Sequence, residues 1–240
     1  FIVNGADYEL TRIPDAPDPG IPSLDDLMAL RNSSLGGPLY ERVGAIRIDG
    51  RVYLENLGVS GPAKALLAGQ DRYRLDLSFG RFGSTSSGLD ATGAWTASTT
   101  GGFNSLDGDA LAQARLQHPA VVFQDLRDHF LFVEIVGRTT FKGEPAYIVK
   151  ASPRDAPVLT LTLSAQTGAT LQVEGFTFDL ENGSVPVVTT FEDYRDVFGV
   201  RMPFRIIEHS PLAGRTLTQY ENVRINVPIE DDSFAFVPTE

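Results

Sequence analysis

Cysteine is absent from the chain, which excludes disulfides, thiolate metal sites, cysteine nucleophiles and lipidation at cysteine within these residues. Histidine is nearly absent, with only three in the sequence. His118, His129 and His209 are not paired at metal-ligand spacing, and no His-Glu-x-x-His occurs; they read as surface or interfacial residues. No apolar run approaches the roughly 18 residues of a membrane-spanning helix. Positive charge is also scarce. Lys and Arg number 20 against 31 Asp and Glu, a net charge of −11. Phosphate binding needs concentrated cations, so a nucleic-acid partner is excluded, as is electrostatic docking on an anionic membrane. The acidic excess reads as solubility.

Catalytic motifs are missing as well. The run from Gly83 to Gly88 is rich in serine, but it lacks the Gly-x-Ser-x-Gly spacing and no helix follows it. Asp90-Ala91-Thr92-Gly93 occurs once, whereas a carboxylate dyad needs two such loops. Gly80-Arg81-Phe82-Gly83 is not followed by the Lys-Ser/Thr of a phosphate loop. The acidic clusters Asp25-Asp26, Glu192-Asp193 and Glu230-Asp231-Asp232 lack the alternating ligands of a calcium loop. These absences predict a protein that is not an enzyme and carries no cofactor or metal.

What is present is strand and turn. Residues 1–22 end in a Pro/Asp-rich stretch that reads as an extended arm or linker. Ser23 is placed to cap a short helix with Asp25 and Asp26 in its first turn and Leu24, Leu27, Met28 and Leu30 on one stripe, ending before Gly36-Gly37-Pro38. Asp49-Gly50 is a hairpin signal. Tyr73, Leu75, Leu77 and Phe79 alternate with Arg72, Arg74, Asp76 and Ser78, the clearest half-buried strand in the chain. Residues 80–105 read as short strands and loops around Trp95. A helical island spans Asp107 to Gln117, and Pro119 can open a second helix through Leu126. From Phe130 to Val227 strands follow one another through turns at Thr167-Gly168, Asn182-Gly183, Phe198-Gly199 and Ala213-Gly214. Connections this short cannot join parallel strands, so this half is an antiparallel meander. The fold class expected is mainly β, with residues 23–240 as one domain.

Aromatic side chains recur at alternating strand positions, among them Phe130, Phe132, Phe176, Phe178 and Phe191. Core packing accounts for any one of them. Together they admit a second reading: a strongly curved sheet with few helices leaves an apolar hollow. Leu75, Leu77, Phe79, Trp95 and those five phenylalanines would line it. Such a hollow suits an acyl chain, because ligand sites are concave and mostly apolar.

Several phrases resemble the LolA/LolB-like outer-membrane lipoprotein-sorting and lipoprotein-carrier superfamily, over about Leu24 to Pro238. They are the strand opening Asp71-Arg72-Tyr73, Leu89 to Trp95 in a hairpin, Leu163 to Gly168 as a turn, Phe191 to Pro203, Tyr220 to Asn226, and Ile229 to Pro238. In the last of these Phe234 can tuck back as an apolar anchor. The resemblance implies an unclosed antiparallel β-barrel of about 10–12 strands with a few short helices over its concave face. It implies export to the periplasm or outer envelope and binding of an acyl chain or lipoprotein. An accessory role beside an envelope protein partner, or within a larger protein, is the alternative it leaves open. With Phe1 in place of an initiator Met, a removed secretory signal or a further domain upstream is expected. Carriers of this group hold their lid with a basic residue just ahead of the strand that Asp71 opens; here Gly69-Gln70 stand there.

Overall fold

The computed structural model describes residues 20–116, 118–122, 124–179, 183–230 and 232–236, with the backbone alone at 120, 122, 178 and 179. Most of the N-terminal arm, Phe123 and Asn182 therefore lie outside the described residues. Helix α1, Leu24–Leu35, begins as its sequence dictates: Ser23 Oγ accepts the Asp26 N–H at 3.1 Å, and both acids sit in the positively polarised first turn. It stops at Gly36, whose φ of 76° is left-handed. A Cβ there would also lie 2.0 Å from the Gly199 carbonyl oxygen, so only glycine lets the helix end against that turn. A single further turn, α2, follows at Gly37–Tyr40.

Thirteen strands then form one antiparallel sheet. The first six are β1 Ile46–Leu54, β2 Val59–Ala68, β3 Arg72–Ser78, β4 Ser84–Asp90, β5 Gly93–Ser98 and β6 Gly102–Leu106. Helix α3, Gly108–Leu116, and two 3-10 turns at Pro119–Val122 and Leu126–Asp128 make the crossover. The second series is β7 Phe132–Phe141, β8 Glu144–Ser152, β9 Leu159–Ser164, β10 Thr170–Asp179, β11 Gly183–Val197, β12 Val200–Ser210 and β13 Gly214–Ile225. Two meanders run outward from a central seam, β1 paired with β13 from Ile46↔Ile225 to Leu54↔Thr216, and end at β6 and β7, whose outer edges no described strand pairs. The barrel is thus unclosed, as expected, with one strand more than the upper figure. The extra count comes from residues 84–106, where three short strands pair in full register despite their Gly, Ser and Thr content.

Two local expectations are corrected. Asp49-Gly50 is no hairpin turn: it lies mid-strand in β1, at a register shift against β13. A Cβ on Gly50 would fall 2.3 Å from the Gln219 carbonyl oxygen, so this glycine serves close backbone approach at a bulge. The turn comes at Glu55–Leu57 instead, closed by Gly58 at φ 61°. The segment opened by Pro119 makes only 3-10 turns. The turn at Phe198-Gly199 is as foreseen, both residues having positive φ (53° and 87°), the pattern of a two-residue hairpin.

Helix α1 and the crossover lie on the inner face and divide the core in two. One cluster joins Ile48, Leu67, Tyr73, Leu89 and Ala114 to Met202 and Phe204. The other packs Leu27, Met28, Val121, Leu126 and Phe130 on Val149, Leu161 and Leu163. A third, small cluster sits on the outer face, where Phe234 (1% exposed) packs with Ala45, Ala68 and Leu66. The C-terminal segment therefore folds back over the sheet with Phe234 as its anchor.

Candidate functional site

Between the two inner clusters lies a cavity of about 400 Å3. Its wall draws on both wings of the sheet, from Tyr73 and Ser87 to Leu161 and Val173, which requires the sheet to curve around it. Crossover residues Gln113, Leu116, His118 and Val121 cover it. The two meanders bend too far for two helices and a few turns to fill the space. The hollow is a consequence of topology.

Of the residues expected to line it, Leu75, Phe130, Phe176 and Phe191 do. Leu77 lies at an adjoining cleft beneath α3 that shares Leu75, Ser87 and Gln113 with the hollow. Phe79 stands at the end of β3, in the turn that leads to Gly80–Phe82, and borders neither space. Phe132 is 75% exposed at the start of edge strand β7. Trp95 is on the other face. It pairs with Gly88, which pairs with Arg74, and this row points outward by strand alternation. There the indole N–H donates to the Phe234 carbonyl at 3.0 Å, the Arg74 guanidinium lies 5.6 Å from the ring centroid, and Phe103 and Phe236 flank it. A Cβ on Gly88 would lie 2.5 Å from the indole, so glycine makes room for the ring. The side chain of Phe178 lies outside the described residues.

Two charged residues that the sequence reading passed over stand within the fold. Arg31, wholly buried, projects from the apolar stripe of α1. Its Nε donates to the Gln124 carbonyl at 2.7 Å, and its Nη1 to the Gly168 carbonyl at 2.6 Å and the Thr170 hydroxyl at 3.1 Å. A longer 3.5 Å contact reaches the Val121 carbonyl. Burial brings its pKa down to about 10, still far above neutrality, so the group stays charged. One guanidinium thereby ties α1 to the crossover and to the β9–β10 turn. Gly168 is required beside it, both for its φ of 67° and because a Cβ would meet Arg31 at 2.7 Å. The signal was the position: Leu24, Leu27, Met28, Arg31 and Leu35 follow helical spacing on one face.

Glu208, on β12, is the only carboxylate among the described residues lining the hollow. Its side chain is solvent-accessible where it lines the hollow, with protein packed around the rest of it. That desolvation raises its pKa above the ordinary carboxylate range. It continues the inward row Met202, Phe204, Ile206, with Thr189 and Thr216 as its neighbours across the strands. The Tyr220 phenol also lines the space, its pKa pushed up by burial first and by Glu208 second. His118, read from the sequence as a surface or interfacial residue, is 1% exposed. It stands edge-on to Tyr73 and its Nε2 is 3.1 Å from the Arg72 carbonyl oxygen, so Nε2 carries the proton. Burial lowers its pKa, against the opposing pull of that hydrogen bond. Asp90 closes the β4–β5 hairpin by accepting from the Thr92 N–H at 2.7 Å.

No family model matches the chain, and no curated protein matches it. Solved structures do. A LolA superfamily protein from Nitrosomonas europaea superposes with a TM-score of 0.58 at 10% identity, covering 90% of this chain and 99% of its own. An outer-membrane lipoprotein-sorting protein domain from Vibrio parahaemolyticus gives 0.56 at 12% identity, covering 85% and 97%. A DUF1329 family protein from Desulfovibrio piger gives 0.51 at 12% identity, covering 87% and 96%. At such identities the likeness is one of fold: the chain has the LolA-like open barrel.

Proposed function

We propose that the chain is a non-catalytic binding module of the periplasm or outer envelope that takes the acyl chain of a lipid or lipoprotein into its hollow. The observation that carries this reading is the cavity of about 400 Å3 between two cores, walled largely by aliphatic and aromatic side chains. Its size is in the range of small-molecule sites. Burying about ten methylenes there contributes roughly 8 kcal/mol before the costs of association. The fold shared with a lipoprotein-sorting domain and a LolA superfamily protein supports the same reading. Delipidated protein should enhance the fluorescence of the uncharged probe N-phenyl-1-naphthylamine, saturably and at one site. Filling the hollow with Ala65→Trp or Val173→Trp should abolish that signal while leaving the melting transition cooperative. Uptake that survives both substitutions would sink the reading.

A second reading, an accessory domain that docks on an envelope protein, is favoured by the β7 edge. Leu131, Phe132 and Val136 are exposed on and just before this strand, which pairs with β8 on one side and with no described strand on the other. Free strand edges with apolar side chains pair readily with other chains. A native pull-down that returns a stoichiometric partner, lost in Phe132→Lys, distinguishes it.

A further inference from the structure

We infer that Glu208 gives the hollow a head-group preference: it favours a chain ending in a hydrogen-bond donor, cationic or neutral, over the same chain ending in an anion. The inference rests on the reading of the hollow as a chain-binding site and adds the chemistry of what the chain must carry. Three observations converge on it.

First, Glu208 lines the hollow and makes no hydrogen bond and no ion pair among the described residues. Among the described residues, the ion pairs are all made elsewhere. Arg74 also borders the cavity, but its guanidinium is taken: Nε lies 2.9 Å from Asp76, and Nη1 donates to the Ala235 carbonyl at 3.0 Å. Its register partners on the flanking strands are the hydroxyl residues Thr189 and Thr216, and the Tyr220 phenol is close enough to feel its charge. None of these can neutralise a carboxylate. Second, the other unmet polar atom of the hollow is again an acceptor. Gln113, 3% exposed under α3, donates its Nε2 to Ser184 Oγ at 2.7 Å, while its Oε1 is buried without a partner. Natural interiors rarely leave such groups unpaired. Both vacancies call for donors. Third, most of the wall is aliphatic or aromatic and Glu208 is its one carboxylate among the described residues, so the sign of a charge placed near it matters.

A chain that carries an ammonium or hydroxyl head supplies the missing donor. A carboxylate head brings like charge to a carboxylate in a poorly polarisable space. Aminolipids and hydroxylated single-chain lipids both have the required chemistry, and a matched series separates them.

The test displaces N-phenyl-1-naphthylamine from the full chain at pH 8.5, well above the ordinary carboxylate range of about 4, using dodecylamine, dodecanol and dodecanoate. Dodecylamine should bind at least about tenfold more tightly than dodecanoate, with dodecanol between them. In Glu208→Gln, which keeps the shape and removes the charge, that ratio should fall below about threefold, mainly through tighter dodecanoate. Dodecanol should change little. If all three ligands bind the native chain equally, or if the ratio survives in Glu208→Gln, the head-group inference is overturned while the hollow stands. If neither the probe nor any of the three binds, the hollow itself is not a chain site, and the inference falls with it.

Discussion

Arg31 and Glu208 are two charged side chains in the interior of one open barrel, and they are treated in opposite ways. Arg31 is fully enclosed and its donors meet the Gln124 and Gly168 carbonyls and the Thr170 hydroxyl within 3.1 Å. Glu208 faces open space with none of its acceptors met by a described residue. A buried charge whose hydrogen bonds are complete organises structure; its removal strands the groups it served. A charge left unmet costs stability and persists where something outside the fold completes it. The Arg31 site is thus complete within the fold, whereas no described residue completes the Glu208 site.

The largest effect should come from breaking the satisfied site. Arg31→Met keeps the length of the side chain but leaves buried carbonyls unpaired, and should destabilise the fold by about 3–5 kcal/mol. Urea denaturation measures it. Arg31→Lys, a point charge without the planar fork, should recover only part of that loss. If Arg31→Met is neutral, α1 is held by its apolar stripe alone and the contrast with Glu208 collapses.

Next in size is the acid side. His118 and His129 both have pKa values lowered chiefly by burial. The unfolded chain then binds more protons than the native one just below the ordinary histidine value near 6.5. Stability from these residues is complete above that value and is lost as pH falls through the lowered pKa. Glu208 has the reverse sign: with a raised pKa, its contribution is complete below the ordinary carboxylate value and is lost as pH rises. The melting temperature of the native chain should fall between pH 7.5 and 5.5. His118→Gln, which can still donate to the Arg72 carbonyl, should flatten that slope. An unchanged slope would remove His118 from the account.

Smaller still is the unmet site. Glu208→Gln should be close to neutral, within about 0.5 kcal/mol at pH 8, since the carboxylate is solvent-accessible and no described residue pairs with it. A loss of several kcal/mol would mean that Glu208 is paired in solution after all, and its difference from Arg31 would vanish.

Much of this architecture was legible because local chemistry and tertiary packing agree. Ser23, Asp26 and Gly36 bound α1 as capping rules require, and Tyr73, Leu75 and Leu77 alternate on a strand that turns one face to the hollow. Phe234 packs back as an apolar anchor, as its place near the chain end suggested. The failures share a cause: composition does not state which face is which. Trp95 looked like hollow lining because it is aromatic, but strand register sets it opposite Gly88 on the outer face. Phe132 begins an edge strand whose alternate residues Val133 and Ile135 pack inward instead. Asp49-Gly50 has turn chemistry, yet the constraint on Gly50 is the Gln219 carbonyl of a strand 170 positions on in the chain (Asp49 to Gln219). Arg31 and Glu208 were visible as charges on apolar faces, one at helical and one at strand spacing. What they touch is not written in either period.

The smallest expected effect is an absence of change, and it separates the two faces of the sheet. Trp95 is the only tryptophan in the chain, so intrinsic fluorescence reports on one place: the outer-face nest made by Phe103, Phe236 and the Phe234 carbonyl. Filling the hollow with dodecylamine should leave its emission maximum where it was, because the β-sheet lies between chain and indole. Phe234→Ala, by contrast, should loosen the C-terminal segment and shift the emission to the red, with a stability loss of about 3–5 kcal/mol. A red or blue shift on ligand uptake in the native chain would mean that occupancy of the hollow is felt on the outer face. The C-terminal segment would then be part of the binding response, and the division of the molecule into a packed outer nest and an open interior would have to be given up.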